Sequence, residues 1–289
     1  MPIKRRSAGS GNDSHAPALS SKQGKIKDRQ FVTALARGID ILQCFSRSEP
    51  ELGTVEIASM VNLPQPTVWR LCYTLMKKGL LTYSPLTKRL RLGVPVLGLG
   101  YAVVASQMIA EIARPHMQAI ADRFRGTVSL GAADGLGMIY LQRCEGASVV
   151  LVNNRVGSRV PIAYSATGWA YLAALAPQAR EDLVREIHAE EGPRWAQIEQ
   201  RFRSALRKFH VDRYIINKGS LHRQINGVAV PLHFPDGDRP MGLGSSGINS
   251  IYTDEALRII GGFLLDLASM LEAVPPRGRM AVYPVPGGH

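Results

Sequence analysis

Residues 54–93 read TVEIASMVNLPQPTVWRLCYTLMKKGLLTYSPLTKRLRLG, and this stretch decides the fold of the first third of the chain. Its apolar residues recur at the i, i+3, i+4, i+7 spacing of one helix face, at Val68, Leu71, Cys72 and Leu75. Residues 62–66, which include two prolines, predict the turn before this helix, and Gly79 predicts its end. Leu80–Tyr83 and Arg89–Leu92 then predict the two strands of a hairpin.

Two more helices are predicted upstream. In the first, apolar residues at i, i+4, i+7 and i+10 predict an inner face of Leu35, Ile39, Leu42 and Phe45. In the second, Thr54 is the predicted N-cap, and the predicted inner face consists of Val55, Ile57, Ala58 and Val61. Three helices followed by a basic hairpin are typical of a winged helix-turn-helix domain.

The opposite side of the third helix is polar, aromatic and cationic, and the major groove of DNA accepts a helix of this kind. The candidate DNA contacts on this helix are Gln65, Thr67, Trp69, Arg70, Tyr73 and Lys77. The candidate contacts on the hairpin are Lys88 and Arg89. The alternative interpretation is a small helical domain with a solvated charged face, because such patterns also occur in proteins that do not bind DNA.

The distribution of charge favours DNA binding. The chain has a formal net charge of +12, and residues 1–93 hold 15 Lys and Arg against 6 Asp and Glu. The remaining residues hold 20 against 17, so most of the positive surplus lies on the part that contains the motif. Such a surplus is the electrostatic signature of a module that binds phosphates.

Several segments together resemble the IclR-type bacterial transcriptional regulators, over residues 31–273. They are LARGIDIL at 35–42, PTVWRL at 66–71, GLL at 79–81, GSRVP at 157–161, ATGWA at 166–170 and INGVAVPL at 225–232. One departure concerns Gln65 and Pro66, which stand where the family usually has a basic or small polar pair. Pro66 has no backbone N–H to donate to a phosphate, so the contacts of the first helical turn differ from the family pattern.

The resemblance implies the domain organisation. A winged helix-turn-helix domain covers residues 30–93, a linker and dimerisation helix covers 94–111, and an effector-binding α/β domain of the α+β kind, related to GAF domains, covers 112–274. The strand and helix pattern of this last part independently predicts an α+β sheet domain, with one strand at Ser148–Asn153. Residues 1–29 are predicted to form a disordered basic tail and residues 275–289 a flexible tail.

The resemblance also implies the partners. They are double-stranded DNA with a palindromic operator, a small organic or aromatic acid as effector, further copies of the chain in a homodimer or homotetramer, and RNA polymerase. The implied effector pocket consists of Ala166, Thr167, Asn217, Ile225, Gly227, Gly244 and Ser246. Valines 149, 152 and 160 are expected as apolar walls, and Arg155 and Arg159 as flanking charges. The alternative is that residues 166–168 only cap the following helix.

No other chemistry is predicted. Residues 242–247 match G-x-G-x-x-G, but a dinucleotide site needs a following helix and a second parallel strand, and here the chain runs into its last helix. The three cysteines are widely spaced, so neither a disulfide framework nor a zinc site is expected, and no cofactor or catalytic residue is assigned. No signal peptide or membrane span is found, which favours the cytoplasm.

Three functions are compatible with these observations. The first is a transcriptional regulator whose operator affinity responds to an acid. The second is a DNA-binding protein whose C-terminal domain is only an oligomerisation scaffold. The third is an enzyme that acts on a small acid.

Overall fold

The computed structural model describes residues 30–46, 49–106, 108–147, 154–233 and 240–274, which fall into two compact units divided between Tyr101 and Ala102. Both predicted tails, the predicted strand at 148–153 and two of the expected wall valines, Val149 and Val152, lie outside the described residues. Within the described residues, no helix combines the length and the apolar content that a bilayer span requires.

The N-terminal unit is a winged helix-turn-helix, as predicted. Its elements are α1 (Thr33–Gln43), α2 (Thr54–Met60), α3 (Gln65–Lys77), β1 (Leu81–Ser84) and β2 (Arg89–Leu92). The two strands pair in antiparallel register, and Leu52 adds a single bridge to Leu90, which ties the segment before α2 to the wing. A further helix, α4 (Pro95–Ser106), follows the wing.

The predicted inner face of α3 is confirmed, whereas the predicted inner faces of α1 and α2 are partly wrong. Val68 and Cys72 of α3 are fully buried. In α1 the chain buries Ile41 instead, and Leu35 is 64% exposed and Ile39 47% exposed. Helix α1 carries apolar residues on two sides, so periodicity alone cannot select the side that packs. Val55 of α2 is also exposed, and the N-cap is Gly53 rather than Thr54, which is the first residue of the helix.

The C-terminal unit is a six-stranded antiparallel sheet with helices on both faces. Its elements in chain order are α5 (Met108–Phe124), β3 (Thr127–Asp134), β4 (Gly137–Glu145), β5 (Arg159–Pro161), α6 (Ala166–Ala174), α7 (Pro177–Glu191), α8 (Pro193–Asp212), β6 (Ile215–Lys218), β7 (Ile225–Leu232), β8 (Met241–Ile248) and α9 (Asp254–Glu272). The strand order is β5-β4-β3-β8-β7-β6. The short strand β5 was not predicted.

Two hydrophobic cores lie on the two faces of this sheet. One core joins the sheet to α5 and α9 and contains Met117, Leu130 and Leu264. The other joins the sheet to α6, α7 and α8 and is aromatic, with the Phe202 ring in contact with both Trp169 and Trp195. The predicted α+β class is therefore confirmed as a three-layer arrangement of helices, sheet and helices.

Glycines let the first turn of α6 lie directly on the sheet. A Cβ atom at Gly242 would lie 2.5 Å from the carbonyl oxygen of Thr167, and one at Gly244 would lie 2.9 Å from the Thr167 Cγ2. A Cβ atom at Gly227 would meet the Ala166 Cβ at 3.1 Å. The glycines of the G-x-G-x-x-G match therefore lie within β8, where Gly242 and Gly244 give room to a helix.

This close approach predicts the effect of adding a methyl group. We expect Gly242→Ala to destabilise the C-terminal unit by about 1–3 kcal/mol, because the new Cβ displaces the α6 backbone. The control is Gly262→Ala within α9, where nothing lies within 4 Å of the added Cβ. The control should be neutral or stabilising by up to about 1 kcal/mol, since alanine favours helix. Urea unfolding followed by tryptophan fluorescence measures both, and equal stabilities for the two variants would contradict the packing argument.

Candidate DNA-binding surface and effector cavity

Helix α3 presents most of its candidate DNA contacts to solvent. Because Val68 and Cys72 anchor its inner face, Trp69, Arg70 and Tyr73 are exposed. Lys77 is exposed one turn after Tyr73, and its Nζ lies 5.4 Å from the centroid of the Tyr73 ring. The helix surface therefore combines cations with aromatic rings.

The two candidate DNA contacts in the first turn of α3, Gln65 and Thr67, are less free to reach DNA. The Gln65 side chain is exposed, and its Nε2 donates a hydrogen bond of 3.2 Å to the Thr54 Oγ1 on α2. Thr67 is half-buried. The bond from Gln65 joins the recognition helix to the helix before it, so these two helices present one surface.

Side-chain and backbone hydrogen bonds fix the tip of the wing. The Lys88 backbone N–H donates to the Ser84 carbonyl at 2.8 Å, and the Thr87 hydroxyl donates to the Glu51 carboxylate at 3.0 Å. Lys88 adopts a positive φ of 54° and is exposed, next to a Leu86 side chain that is 96% exposed. The wing thus places an ammonium group on an ordered turn.

Arg89 is engaged by groups of the same unit, although its side chain is 40% exposed. Its Nη2 pairs with the Glu56 Oε1 at 2.5 Å, and its Nη1 donates to the Glu51 carbonyl at 2.8 Å. The pKa of Glu56 is lowered, first by the Gly53 backbone N–H that it accepts and then by Arg89. Arg89 thus ties the wing to α2, and its contact with DNA stays a prediction.

All of the predicted effector residues line one cavity between the start of α6 and the sheet. They are Ala166, Thr167, Asn217, Ile225, Gly227, Gly244 and Ser246. The sequence did not indicate the other lining residues, which are Ser129, Tyr140, Tyr164, Ser165 and Leu221. The space between these residues amounts to about 450 Å³ when the open solvent at its mouth is included.

Hydrogen bonds within the protein already engage several polar groups of this wall. The Asn217 Nδ2 donates to the Tyr164 carbonyl at 3.0 Å, and the Tyr164 phenol donates to the Glu191 carboxylate at 2.6 Å. The Ser165 hydroxyl accepts the Gly168 backbone N–H at 3.1 Å and caps α6. The Ser246 hydroxyl lies 2.9 Å from the Thr127 hydroxyl. These bonds give the wall a defined shape.

The Thr167 hydroxyl is the exception. Thr167 is 4% exposed, and its Oγ1 has no partner at normal hydrogen-bond distance among the described residues, although the Tyr140 phenol lies nearby. In the same part of the chain, the N–H groups of Ala166 and Thr167 also lack acceptors, because they begin α6. A helix N-terminus favours an anion, and a buried hydroxyl without a partner is costly. The start of α6 therefore offers donors to an anion, and its role as an effector site stays a prediction.

The Tyr140 phenol adds a protonated group to the same wall. Burial raises its pKa, and Arg143 and the Thr167 and Ser129 hydroxyls oppose this shift more weakly. The phenol therefore keeps its proton at neutral pH. In the described residues, no three His, Cys, Asp or Glu side chains are grouped as metal ligands.

Comparison with known proteins identifies both units. The model of the IclR helix-turn-helix domain matches residues 34–85, and the model of the C-terminal domain of the bacterial transcriptional regulator IclR matches residues 101–272. The chain belongs to the IclR family. The expected resemblance is thereby confirmed, together with the class of DNA-binding transcriptional regulators.

Individual IclR-family relatives match over most of the chain. The regulator TsaQ1/TsaQ2 of Comamonas testosteroni is 36% identical over 204 residues, which cover 70% of this chain and 73% of that protein. An IclR-family regulator from Brucella abortus is 37% identical, with a TM-score of 0.78 over 86% of this chain and 95% of that chain. A homologue from Microbacterium hydrocarbonoxydans, solved with 4-hydroxybenzoate, shares the fold at 22% identity, with a TM-score of 0.68 over 83% and 98% of the two chains.

Other residues expected at the IclR-type pocket lie elsewhere. Val160 is buried in the core between the sheet and α6 and does not line the cavity. The Arg159 side chain pairs with Asp134 at 3.3 Å, and neither Arg159 nor Arg155 is among the lining residues. No charged side chain belongs to the described lining of the cavity.

The unpartnered hydroxyl predicts an opposite response at two threonines. We expect Thr167→Val to raise the free energy of unfolding by about 1 kcal/mol, because it removes a buried group without a partner. Thr127→Val should lower it by about as much, since the Thr127 hydroxyl donates to the Ser246 carbonyl at 3.2 Å. Thermal and urea unfolding of the ligand-free protein measure both changes, and a loss of stability in both variants would contradict the assignment.

Proposed function

We propose that this IclR-family protein is a sequence-specific regulator whose affinity for a palindromic operator changes when a small organic acid binds in the cavity. Family membership supports DNA binding. The observation that carries the effector assignment is the start of α6, where a buried hydroxyl and two backbone N–H groups lack partners at hydrogen-bond distance in the described residues and belong to residues that line one cavity.

The DNA contacts follow from the two exposed parts of the N-terminal unit. The exposed face of α3 enters the major groove, where the Arg70 guanidinium can bind a guanine edge with two hydrogen bonds. Trp69 and Tyr73 flank that group, and Lys88 on the wing contacts a phosphate. Arg89 supports these contacts indirectly, because it fixes the wing to α2.

A homodimer or homotetramer supplies the symmetry that a palindrome requires. Helix α4 supports this assembly, since Leu97 is 73% exposed, Leu99 is also exposed, and the exposed Val94 directly precedes the helix. An apolar helix surface of this kind is typical of a contact with a further protein chain. The remaining expected partner, RNA polymerase, and the cytoplasmic location are part of the same proposal.

The chemistry of the cavity supports an organic acid as the effector. A carboxylate at the start of α6 would accept hydrogen bonds from the Ala166 and Thr167 N–H groups and from the Thr167 hydroxyl. Ile225 and Leu221 supply apolar surface for the body of the ligand. The 4-hydroxybenzoate in the solved relative from Microbacterium hydrocarbonoxydans is an acid of this kind.

Regulation requires that the acid bind two arrangements of the protein with different affinities. The coupling free energy between effector and operator is then typically about 1–3 kcal/mol, which corresponds to a change of roughly 5–150-fold in operator affinity. This requirement separates a regulator from a DNA-binding protein with a passive oligomerisation domain.

The effector test combines stability with DNA binding. We expect at least one member of a panel of small aliphatic and aromatic carboxylates, starting with 4-hydroxybenzoate, to raise the melting temperature of the full chain, since a ligand of the folded state stabilises it. The same acid should change the affinity for an operator duplex selected by the protein from random DNA. The control is Thr167→Val, which removes the buried hydroxyl but keeps the size of the side chain, and it should weaken the shift. Binding without any change in operator affinity would favour the passive domain, and turnover of the acid would favour an enzyme.

The DNA test contrasts two arginines. We expect Arg70→Ala to weaken operator binding by about 1–3 kcal/mol while the stability of the N-terminal unit stays unchanged, because Arg70 is exposed. Arg89→Ala should instead lower the stability of that unit, because two hydrogen bonds to the α2 segment are lost. Gel-shift titration and thermal unfolding measure the two properties. If Arg70→Ala leaves the operator affinity unchanged, the placement of α3 in the major groove is contradicted.

A further inference from the structure

We infer that Arg143 supplies the positive charge that selects an anionic effector, and that it acts through the Ser129 hydroxyl. This inference rests on the proposed effector site and adds a positioning residue to it. Arg143 does not line the cavity, and Ser129 is one of the lining residues that the sequence did not indicate.

Strand pairing brings the two residues together behind the cavity wall. Ser129 of β3 lies opposite Arg143 of β4 in the antiparallel register, so their side chains share a face of the sheet. The Arg143 Nη1 donates to the Ser129 Oγ at 3.1 Å. The Arg143 side chain is only 7% exposed, and its guanidinium carbon lies 5.7 Å from the centroid of the Tyr140 ring. A buried cation therefore lies directly behind two lining residues.

The same strand places Ser129 near the start of α6. On its other side Ser129 pairs with Gly244 of β8, and Gly244 is the glycine whose added Cβ would meet Thr167. Ser129, Gly244 and Thr167 are consequently neighbours on one wall. A carboxylate held by the first turn of α6 lies within reach of the Ser129 hydroxyl.

The direction of the hydrogen bond gives Ser129 its role. A guanidinium group only donates, so the Ser129 oxygen accepts and its proton remains free for another acceptor. The Tyr140 phenol lies near this hydroxyl and both residues line the cavity, where a bound carboxylate would be the stronger acceptor for the proton. The arginine polarises this hydroxyl, and a hydrogen bond that involves a charged group is stronger than a neutral one. Ser129 is thus a donor tuned for an anion.

The charge of Arg143 is only partly balanced within the protein. Its Nε pairs with the Glu145 Oε1 at 3.1 Å, but the Glu145 side chain is 41% exposed, so water screens that carboxylate. The side of the guanidinium towards Ser129 lies in a drier environment, where a charge acts more strongly. Since no charged residue is part of the described lining, a bound carboxylate would experience Arg143 as its buried cation.

The alternative role for Arg143 is purely structural, as a brace between β3 and β4. The two roles differ in how they affect a charged ligand and its neutral isostere. A brace affects the acid and the corresponding amide equally, because both need the same cavity shape. A charge favours the acid alone, so the ratio of the two affinities is the decisive measurement.

The probes are 4-hydroxybenzoate and 4-hydroxybenzamide, and the proteins are the full-length wild type, Arg143→Gln, Arg143→Lys and Ser129→Ala. Calorimetric titration gives each affinity, and the melting temperature of each variant reports its folding. We expect the wild type to prefer the carboxylate. Arg143→Gln should reduce the acid-to-amide ratio at least tenfold through weaker acid binding, and Arg143→Lys should restore much of it. Ser129→Ala should reduce the ratio in the same direction.

Each result supports or overturns the inference. An unchanged ratio in Arg143→Gln, with both probes still bound, overturns the role of the charge and leaves the proposed function intact. If Arg143→Gln binds neither probe, Ser129→Ala decides, and an unchanged ratio there overturns the inference. If the wild type binds neither these probes nor any acid of the carboxylate panel, the proposed function fails and the inference fails with it.

Discussion

The effector unit depends on the close contact between the first turn of α6 and strand β8. Side chains at positions 242 and 244 would keep the helix away from the sheet, because their Cβ atoms would collide with Thr167. Glycine at both positions brings the start of the helix, with its N–H groups, onto the sheet surface. The cavity lies at this contact, so one packing constraint determines both the shape of the unit and the place of the proposed anion site.

The same contact has a thermodynamic cost. Thr167 is buried with a hydroxyl that lacks a partner in the described residues, and such a group destabilises the fold that contains it. Residues that violate the usual rule of polar satisfaction concentrate at functional sites, where a ligand completes the hydrogen bonds. Arg143 is a second buried polar group with incomplete interactions. It lies behind the cavity wall, and Glu145 balances its charge only in part.

The sequence predicted most of the fold and part of the site, for reasons that differ from residue to residue. The buried face of α3 was predictable because Val68 and Cys72 belong to a single apolar stripe. Helix α1 has apolar residues on two sides, so only tertiary packing selects Ile41 over Leu35 and Ile39. Seven of the twelve residues that line the cavity were predictable from family motifs, while their role in effector binding stays a prediction. Ser129 and Arg143 were not predictable, because a single serine and arginine on neighbouring strands show no pattern until the register of β3 and β4 is known.

The exposed stripe of α1 has a practical consequence for work with separate domains. Phe31, Val32, Leu35 and Ile39 all lie in water within the N-terminal unit, and exposed apolar side chains of α4 follow the wing. A fragment that ends with α4 would therefore expose two apolar surfaces to solvent, one at α1 and one at α4, and such surfaces promote self-association. We expect a soluble DNA-binding fragment to require polar replacements on these surfaces, and the same replacements in the intact chain would report whether either surface contacts another copy of the chain.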